Sequence, residues 1–393
     1  MSVKAALIGL SILTFPHDTL GDSAAGPKVG DSSCCAQQRP ELDPNGTVHI
    51  PHLAVPLSPH MSEEAKKAFV DQFTSMSKLV DQTGQESAES PADQTGSGLA
   101  TTQCPLRKYI DEYYQPLLAR AKSIYPVHIE KKAIGGIETE LVTPKAGVAS
   151  RNRHRVLINL HGGGYNCATA GGLAALVEAV PIAAVGKFRV IAVDYRTSPK
   201  YRFPAATEDV TTVYKALLKR YRPENIGMFG CSTGATLAAG SLAWFQKEHL
   251  PRPGAVGLFG DGATKDDHVD GDGWFINVPL AWGKTLAPNQ SYQVLSPEPY
   301  MAGADYNDPL VAPIVSLSVL SKFPPTLVVS GTRDVGLSEA LYTHTQLVKA
   351  GATAELHVWE GMWHCFFFDV NLPESKDEYD VVATFFDRHL GKQ

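Results

Sequence analysis

The stretch Ile226-Gly227-Met228-Phe229-Gly230-Cys231-Ser232-Thr233-Gly234 decides how this chain is read. Its first four residues form an apolar run of the kind that fits a strand covered on both faces, and a helical pattern continues from 234 to 248. Between the two, a Gly-x-Ser-x-Gly pentapeptide has to reverse the chain sharply. A serine at such a strand-to-helix turn is held in a strained conformation, and the flanking glycines remove side chains that would strike the neighbouring strand and helix. The hydroxyl is thereby pushed out at the edge of the sheet, where a nucleophile can meet a substrate.

Outward from this turn, short apolar runs alternate with helical patterns from about residue 125 onward. Val156-Leu157-Ile158-Asn159-Leu160, Val190-Ile191-Ala192-Val193, Ala255-Val256-Gly257-Leu258-Phe259, Thr326-Leu327-Val328-Val329 and Ala354-Glu355-Leu356-His357-Val358 read as further strands, and 206–220 and 338–350 as helices. Continuous rather than alternating hydrophobicity predicts an α/β fold with a mostly parallel central sheet flanked by helices. The segment from about 262 to 320, with Trp274, Trp282 and several prolines, is too long for an ordinary connection and reads as an insertion over the sheet's carboxyl edge. Two helical patterns precede the sheet. Ser62 caps one that carries Ala65, Phe69, Phe73 and Met76, and residues 108–121 align Ile110, Tyr113, Tyr114, Leu117 and Leu118. These apolar stripes need a surface to cover, which predicts that residues 40–124 and the insertion together form a helical cap.

A serine hydroxyl needs a base, the base needs a carboxylate, and the reaction needs donors for a developing oxyanion. His161-Gly162-Gly163-Gly164-Tyr165 follows the strand ending at Leu160, and its glycines leave backbone N–H groups unobstructed. Gly163 and Gly164, with the N–H of Thr233, are the expected oxyanion-hole donors. Of thirteen histidines, His364 in Glu360-Gly361-Met362-Trp363-His364 follows the last strand and so reaches the same sheet edge as Ser232. Asp334, in Ser330-Gly331-Thr332-Arg333-Asp334, ends the strand before it, with Glu339 and Asp369 as the nearest competing carboxylates. Ser232, Asp334 and His364 are thus the expected catalytic set, in the chain order of α/β-hydrolases.

On these residues the chain resembles the hormone-sensitive-lipase family of α/β-hydrolases, also called bacterial family IV esterases. The similarity runs from about Tyr125 to the C-terminus. It also takes in Asp194-Tyr195-Arg196-Thr197-Ser198-Pro199 and Phe203-Pro204-Ala205-Ala206-Thr207-Glu208-Asp209, which match a family block that braces the site. The resemblance implies the α/β-hydrolase fold, a cap that limits acyl length, and hydrolysis of short- to medium-chain carboxylic esters without metal or organic cofactor. Two departures stand out: Cys231 precedes the serine where the family has Asp, and Lys200 stands where Glu is common. Lactones, amides or thioesters would use the same residues. A protein of this fold that only binds a small ligand is the reading from a different class, and in such proteins the catalytic histidine is lost.

Composition narrows the field further. A net charge of −6 over 393 residues, with Lys and Arg scattered, excludes a nucleic-acid footprint, and no run of 18 apolar residues offers a membrane span. The expected partner is a small-molecule ester, and a homodimer stays open. Residues 1–39 read as an N-terminal arm or a signal peptide, Lys4 preceding an apolar stretch to Phe15, so that cytoplasmic and secreted locations both stand. Export would make Asn45-Gly46-Thr47 and Asn289-Gln290-Ser291 glycosylation acceptors. Six cysteines do not make a scaffold in so long a chain. Cys34 and Cys35 are adjacent, and Cys231 and Cys365, each beside a proposed catalytic residue, are expected to pack or tune rather than cross-link. His49 with His52, and the acidic run Asp266, Asp267, Asp270 and Asp272, fit no metal-ligand template.

Overall fold

The computed structural model describes residues 41–42, 44, 48–49, 54–74, 107–166, 172–263, 271–282 and 300–391. The residues read as signal-like (1–39), the Gly/Ser/Gln-rich loop at 82–102, both sequons, Cys34, Cys35, Met76, His52 and the acidic residues 266–270 lie outside them. The chain divides into units 1–56 and 57–393. In the first, β1 (Glu41–Leu42) pairs antiparallel with β2 (Val48–His49).

In the second unit, the strands β5 (Val156–Leu160), β6 (Val190–Val193), β7 (Ile226–Cys231) and β8 (Ala255–Phe259) are buried along their whole length, which is what their unbroken apolar runs require. With β9 (Thr326–Arg333) and β10 (Ala354–Trp363) they form the parallel part of an eight-stranded sheet of order β10-β9-β8-β7-β5-β6-β4-β3. The last two, β3 (Val127–Ile134) and β4 (Ile137–Pro144), make an antiparallel hairpin added beside β6. That hairpin escapes a search for continuous apolar runs because β3 is mostly exposed. Its signal is the Gly135-Gly136 turn between two alternating stretches.

Alternate residues of each strand face two separate helical layers. Leu157, Phe229, Phe259 and Leu327 pack with α2 (Arg107–Ile124), α3 (Leu173–Gly186) and α9 (Pro373–His389). Val156, Ile158, Leu160, Met228, Leu258 and Val328 pack with α4 (Ala205–Leu218), α5 (Thr233–Lys247) and α8 (Leu337–Lys349). Helix α1, residues 63–74, is capped by Ser62, whose Oγ accepts from Ala65 N at 3.0 Å. Its Phe69 lies against Trp363 (ring centroids 5.8 Å) and under the Arg333 guanidinium, at the carboxyl ends of β10 and β9. Helix α2 instead packs on α3, with Tyr114 against Phe368. Within the insertion, α6 (Asp272–Trp282) packs on β9 and α8, and the short α7 (Leu317–Leu320) lies on α8.

Beneath α2, two carboxyl groups are fully buried between α3 and α9. Asn159 Nδ2 donates to Glu178 at 2.8 Å, whereas neither oxygen of Glu378 has a hydrogen-bond partner among the described residues. Burial pushes Glu178 up to about 8, with the Asn159 bond acting against it, and raises Glu378 as well, helped by the charge of Glu178. A folded-state value above the unfolded one stabilises the fold fully below pH ~4.5, and that stabilisation is lost as pH rises through ~8. Urea midpoints of the wild type are therefore expected to fall between pH 5 and 9, and Glu178→Gln to flatten that decline. An unchanged slope in the variant would refute the assignment.

Candidate active site

The chain leaves β5 toward β6 on one side and returns to β7 on the other, so the strand order switches between the carboxyl ends of β5 and β7. In open α/β sheets that crevice is where ligands bind. Leu160 is in register with Gly230, which brings the loop beginning at His161 beside the turn at Ser232. Ser232 has φ 58° and ψ −133°, the left-handed backbone that a side-chain-bearing residue adopts only when its surroundings enforce it. Its N–H donates to Phe259 O at 2.8 Å, and the Ala235 and Thr236 N–H groups return to Ser232 O. The turn is therefore fastened on both sides, and the serine side chain stays half-buried at the sheet edge. A Cβ on Gly234 would stand 2.0 Å from Leu160 O, a backbone atom that cannot yield. Gly234→Ala is expected to destabilise the fold by about 1–3 kcal/mol, measured as a lower urea midpoint. A midpoint equal to wild type would contradict this packing.

The glycine loop is braced from below. The His161 ring is fully buried and stacks on Tyr195 at 4.1 Å, and Tyr195 Oη donates to His161 O at 2.6 Å. Burial lowers the His161 pKa, the contact with Gly162 O and the charge of Asp194 opposing it, so the ring supports the loop as a neutral aromatic plate. Tyr195 belongs to the block expected to brace the site, and in the same block Asp209 accepts from Arg196 N at 2.9 Å and from its guanidinium at 2.8 Å. Gly163 and Gly164 both have positive φ, 109° and 65°. Gly164 N–H donates to Thr233 Oγ1 at 3.1 Å, which ties the loop to the residue after Ser232.

His364 Nδ1 lies 2.6 Å from Asp334 Oδ1. Asp334 is 1% exposed, and it also accepts from Gly336 N–H at 2.8 Å and from Ser330 Oγ at 3.0 Å. Asn277, from α6 of the insertion, donates to the carbonyls of Asp334 (2.8 Å) and Thr332 (3.2 Å) and so steadies the turn that carries the carboxylate. Burial alone would lower the His364 pKa, but the charge and hydrogen bond of Asp334, with a further contribution from Asp261, carry it above its ordinary value. Gly260, with φ +64°, lies so close that a Cβ there would sit 3.1 Å from His364 Nδ1 and 3.2 Å from Asp334 Oδ2.

Ser330, Asn277, Gly260 and Asp261 are site residues that the sequence alone does not single out. Gly260-Asp261 carries a usable signal, because it ends an apolar run in the same way as the segment that marks Asp334. Asn277 carries none. The residues from Glu360 to Trp363, read as following the last strand, are the end of β10 itself, after a register shift between Trp359 and Trp363.

Cys231 and Cys365 are joined by a disulfide with Cα atoms 6.5 Å apart, which corrects the expectation that they would pack or tune without cross-linking. Along the chain, a position beside the active groups speaks against a bond. In the fold that shared position is what brings the two sulfurs together. Cys231, Cys365 and His364 are the cluster of metal-ligating side chains among the described residues, their ligand atoms within 4.8 Å of one another. In the disulfide neither sulfur is a thiolate, the form that binds metal.

A sequence profile described as alpha/beta hydrolase fold matches residues 157–368. An acetyl-hydrolase from Streptomyces hygroscopicus is 28% identical over 258 residues, 64% of this chain and 80% of that protein. Among solved structures, a crystal structure of an esterase superposes with a TM-score of 0.71 at 28% identity, covering 88% of this chain and 99% of its own. A crystal structure of an esterase from the bacterial hormone-sensitive lipase family shares the fold with a TM-score of 0.63 at 23% identity, over 84% of this chain and 99% of its own. No helix among the described residues is long and apolar enough to cross a membrane.

Proposed function

This chain belongs to the alpha/beta hydrolase fold family, and from that premise we propose that it is a serine carboxylesterase that hydrolyses short- to medium-chain carboxylic esters through an acyl-enzyme on Ser232. The names of the proteins to which it is similar, an esterase and an acetyl-hydrolase, support hydrolysis of an acyl group and favour an ester substrate. The observation that carries the finer reading is the 2.6 Å pairing of His364 Nδ1 with a buried Asp334, at the edge where Ser232 stands in a left-handed turn.

Asp334 holds the Nδ1 proton and leaves Nε2 as the base. His364 takes the Ser232 proton as the hydroxyl attacks the ester carbonyl, and the oxyanion is received by the N–H groups of Gly163, Gly164 and Thr233. The carbonyl oxygen would replace Thr233 Oγ1 as the acceptor of Gly164 N–H. The imidazolium then protonates the departing alcohol. Water, deprotonated by the same nitrogen, attacks the acyl-enzyme and returns the serine. These residues complete the cycle with no step assigned to a metal or organic cofactor.

The acyl pocket is closed by a cap. Phe69 of α1 on Trp363 and Arg333, and Asn277 of α6 on the turn of Asp334, support that role for α1 and for α6 of the insertion. Such cover excludes water from the oxyanion and limits acyl length. An organophosphate should form one adduct, on the peptide containing Ser232, and stop turnover of p-nitrophenyl esters. Rates on that series should peak at short to medium acyl chains. An adduct on another residue, or full turnover after labelling, would sink the assignment.

A further inference from the structure

We propose that the Cys231–Cys365 disulfide is a positioning device for catalysis, a covalent strut that holds His364 at reacting distance from Ser232. The inference rests on the assignment of those two residues as base and nucleophile. It starts from a mismatch of distances. Strands β7 and β10 are separated by β8 and β9, so their ends lie three strand spacings apart, about 14 Å at roughly 4.8 Å per step. Trp363 still pairs with Arg333 on β9, yet two residues later the Cα of Cys365 is 6.5 Å from that of Cys231, the last residue of β7. Within one short excursion the chain has doubled back over β9 and β8, and the disulfide is what meets it at the far side.

Both ends of the bond sit next to a reacting group through a single peptide. Cys231 precedes Ser232, and Cys365 follows His364. Both also lie in or beside strained backbone: Ser232 has φ 58°, and Cys365 has φ 52° without being glycine. Hydrogen bonding fixes the imidazole to Asp334, but Asp334 follows β9 and is no part of the elbow. Gly260 spaces the His364–Asp334 pair from below. Among the described residues the strut is therefore the covalent link between the two halves of the site, the serine after β7 and the histidine beyond β10. The bond is itself buried, Cys231 fully and Cys365 at 7% exposure, which slows its exchange with solvent thiols without barring a dithiol at high concentration. Its formation also withholds the two sulfurs from the cluster they make with His364 and leaves the imidazole free to act as base.

A loosened strut costs catalysis through geometry, because near-attack alignment fails over displacements of about 1 Å, worth roughly 100-fold in rate. The test compares wild type with the Cys231→Ser/Cys365→Ser double variant, using p-nitrophenyl acetate and an organophosphate at 25 °C. Expected is a folded variant whose kcat and labelling rate fall by about 10- to 100-fold while KM changes less than about threefold. The acid limb of its pH profile should be unmoved, since Asp334 still faces His364. Wild type treated with dithiothreitol gives the parallel measurement: two electrons and two protons from the dithiol cleave the Sγ–Sγ bond, both cysteines become thiols, and the reagent closes to its cyclic disulfide. Alkylation mass confirms the cleavage, kcat should fall as in the variant, and reoxidation should restore it. A double variant with wild-type kcat and labelling rate would overturn the strut. So would a variant or reduced enzyme that unfolds at 25 °C, since the bond would then hold the fold and not the site. Failure of the underlying assignment looks different, because it would appear in untreated wild type as labelling away from Ser232.

Discussion

Ser232→Ala is expected to lower kcat on p-nitrophenyl esters by about 10⁴- to 10⁶-fold with the fold intact. The serine side chain is not part of what holds the turn: Ser232 is fastened through its N–H to Phe259 O and through its carbonyl to Ala235 and Thr236. Alanine retains all three bonds. The left-handed conformation is equally strained with either side chain, so urea midpoints should differ little, and a loss of rate can then be assigned to chemistry. Residual turnover would come from the oxyanion donors and from binding alone. A variant that kept more than about a hundredth of wild-type kcat would remove Ser232 from the nucleophile's role, since no effect smaller than the loss of covalent catalysis is being tested.

The partner groups should fail almost as severely and in a related way. His364→Ala is expected to lose about as much as Ser232→Ala, and Asp334→Asn about 10³- to 10⁴-fold, because an amide cannot stabilise the imidazolium or hold the productive tautomer. Combining either with Ser232→Ala should add little further loss, as groups acting in one step are not additive. The pH profile carries a second signature. As the proposed base, His364 would act only when neutral, and although burial lowers its pKa, the charge and hydrogen bond of Asp334, with Asp261, hold it above 6.5. The wild-type kcat/KM should therefore decline as pH falls through a value above 6.5, and residual activity in Asp334→Asn should have its acid limb at lower pH. Identical acid limbs in the two proteins would disconnect Asp334 from the base. Near-additive losses in the double variants would show that the three residues do not act in one step.

Hydrophobic patterning along the chain was enough for the α/β class, for six of the strands and for most of the helices. These are local properties, since a strand covered on both faces has to be apolar along its whole length. The Gly-x-Ser-x-Gly turn was legible for a similar reason: Gly230 and Gly234 are demanded by backbone that would otherwise collide with Leu160 O. The order Ser232, Asp334, His364 could be read because each ends or follows a strand, and parallel strands deliver their ends to one edge.

What tertiary structure alone decided depends on distances between segments remote in sequence. The pairing of His364 with Asp334 rather than with Glu339 or Asp369 follows from strand order, which places β10 beside β9. The Cys231–Cys365 bond spans 134 residues, and nothing local in either cysteine announces it. Asn277 reaches Asp334 from an insertion whose path no periodicity encodes. Glu178 and Glu378 look like ordinary charged helix residues until α3 and α9 close over them, and burial then governs whether they ionise. In each case the sequence carries the chemical group, and only close packing determines which partner, and which dielectric, that group meets.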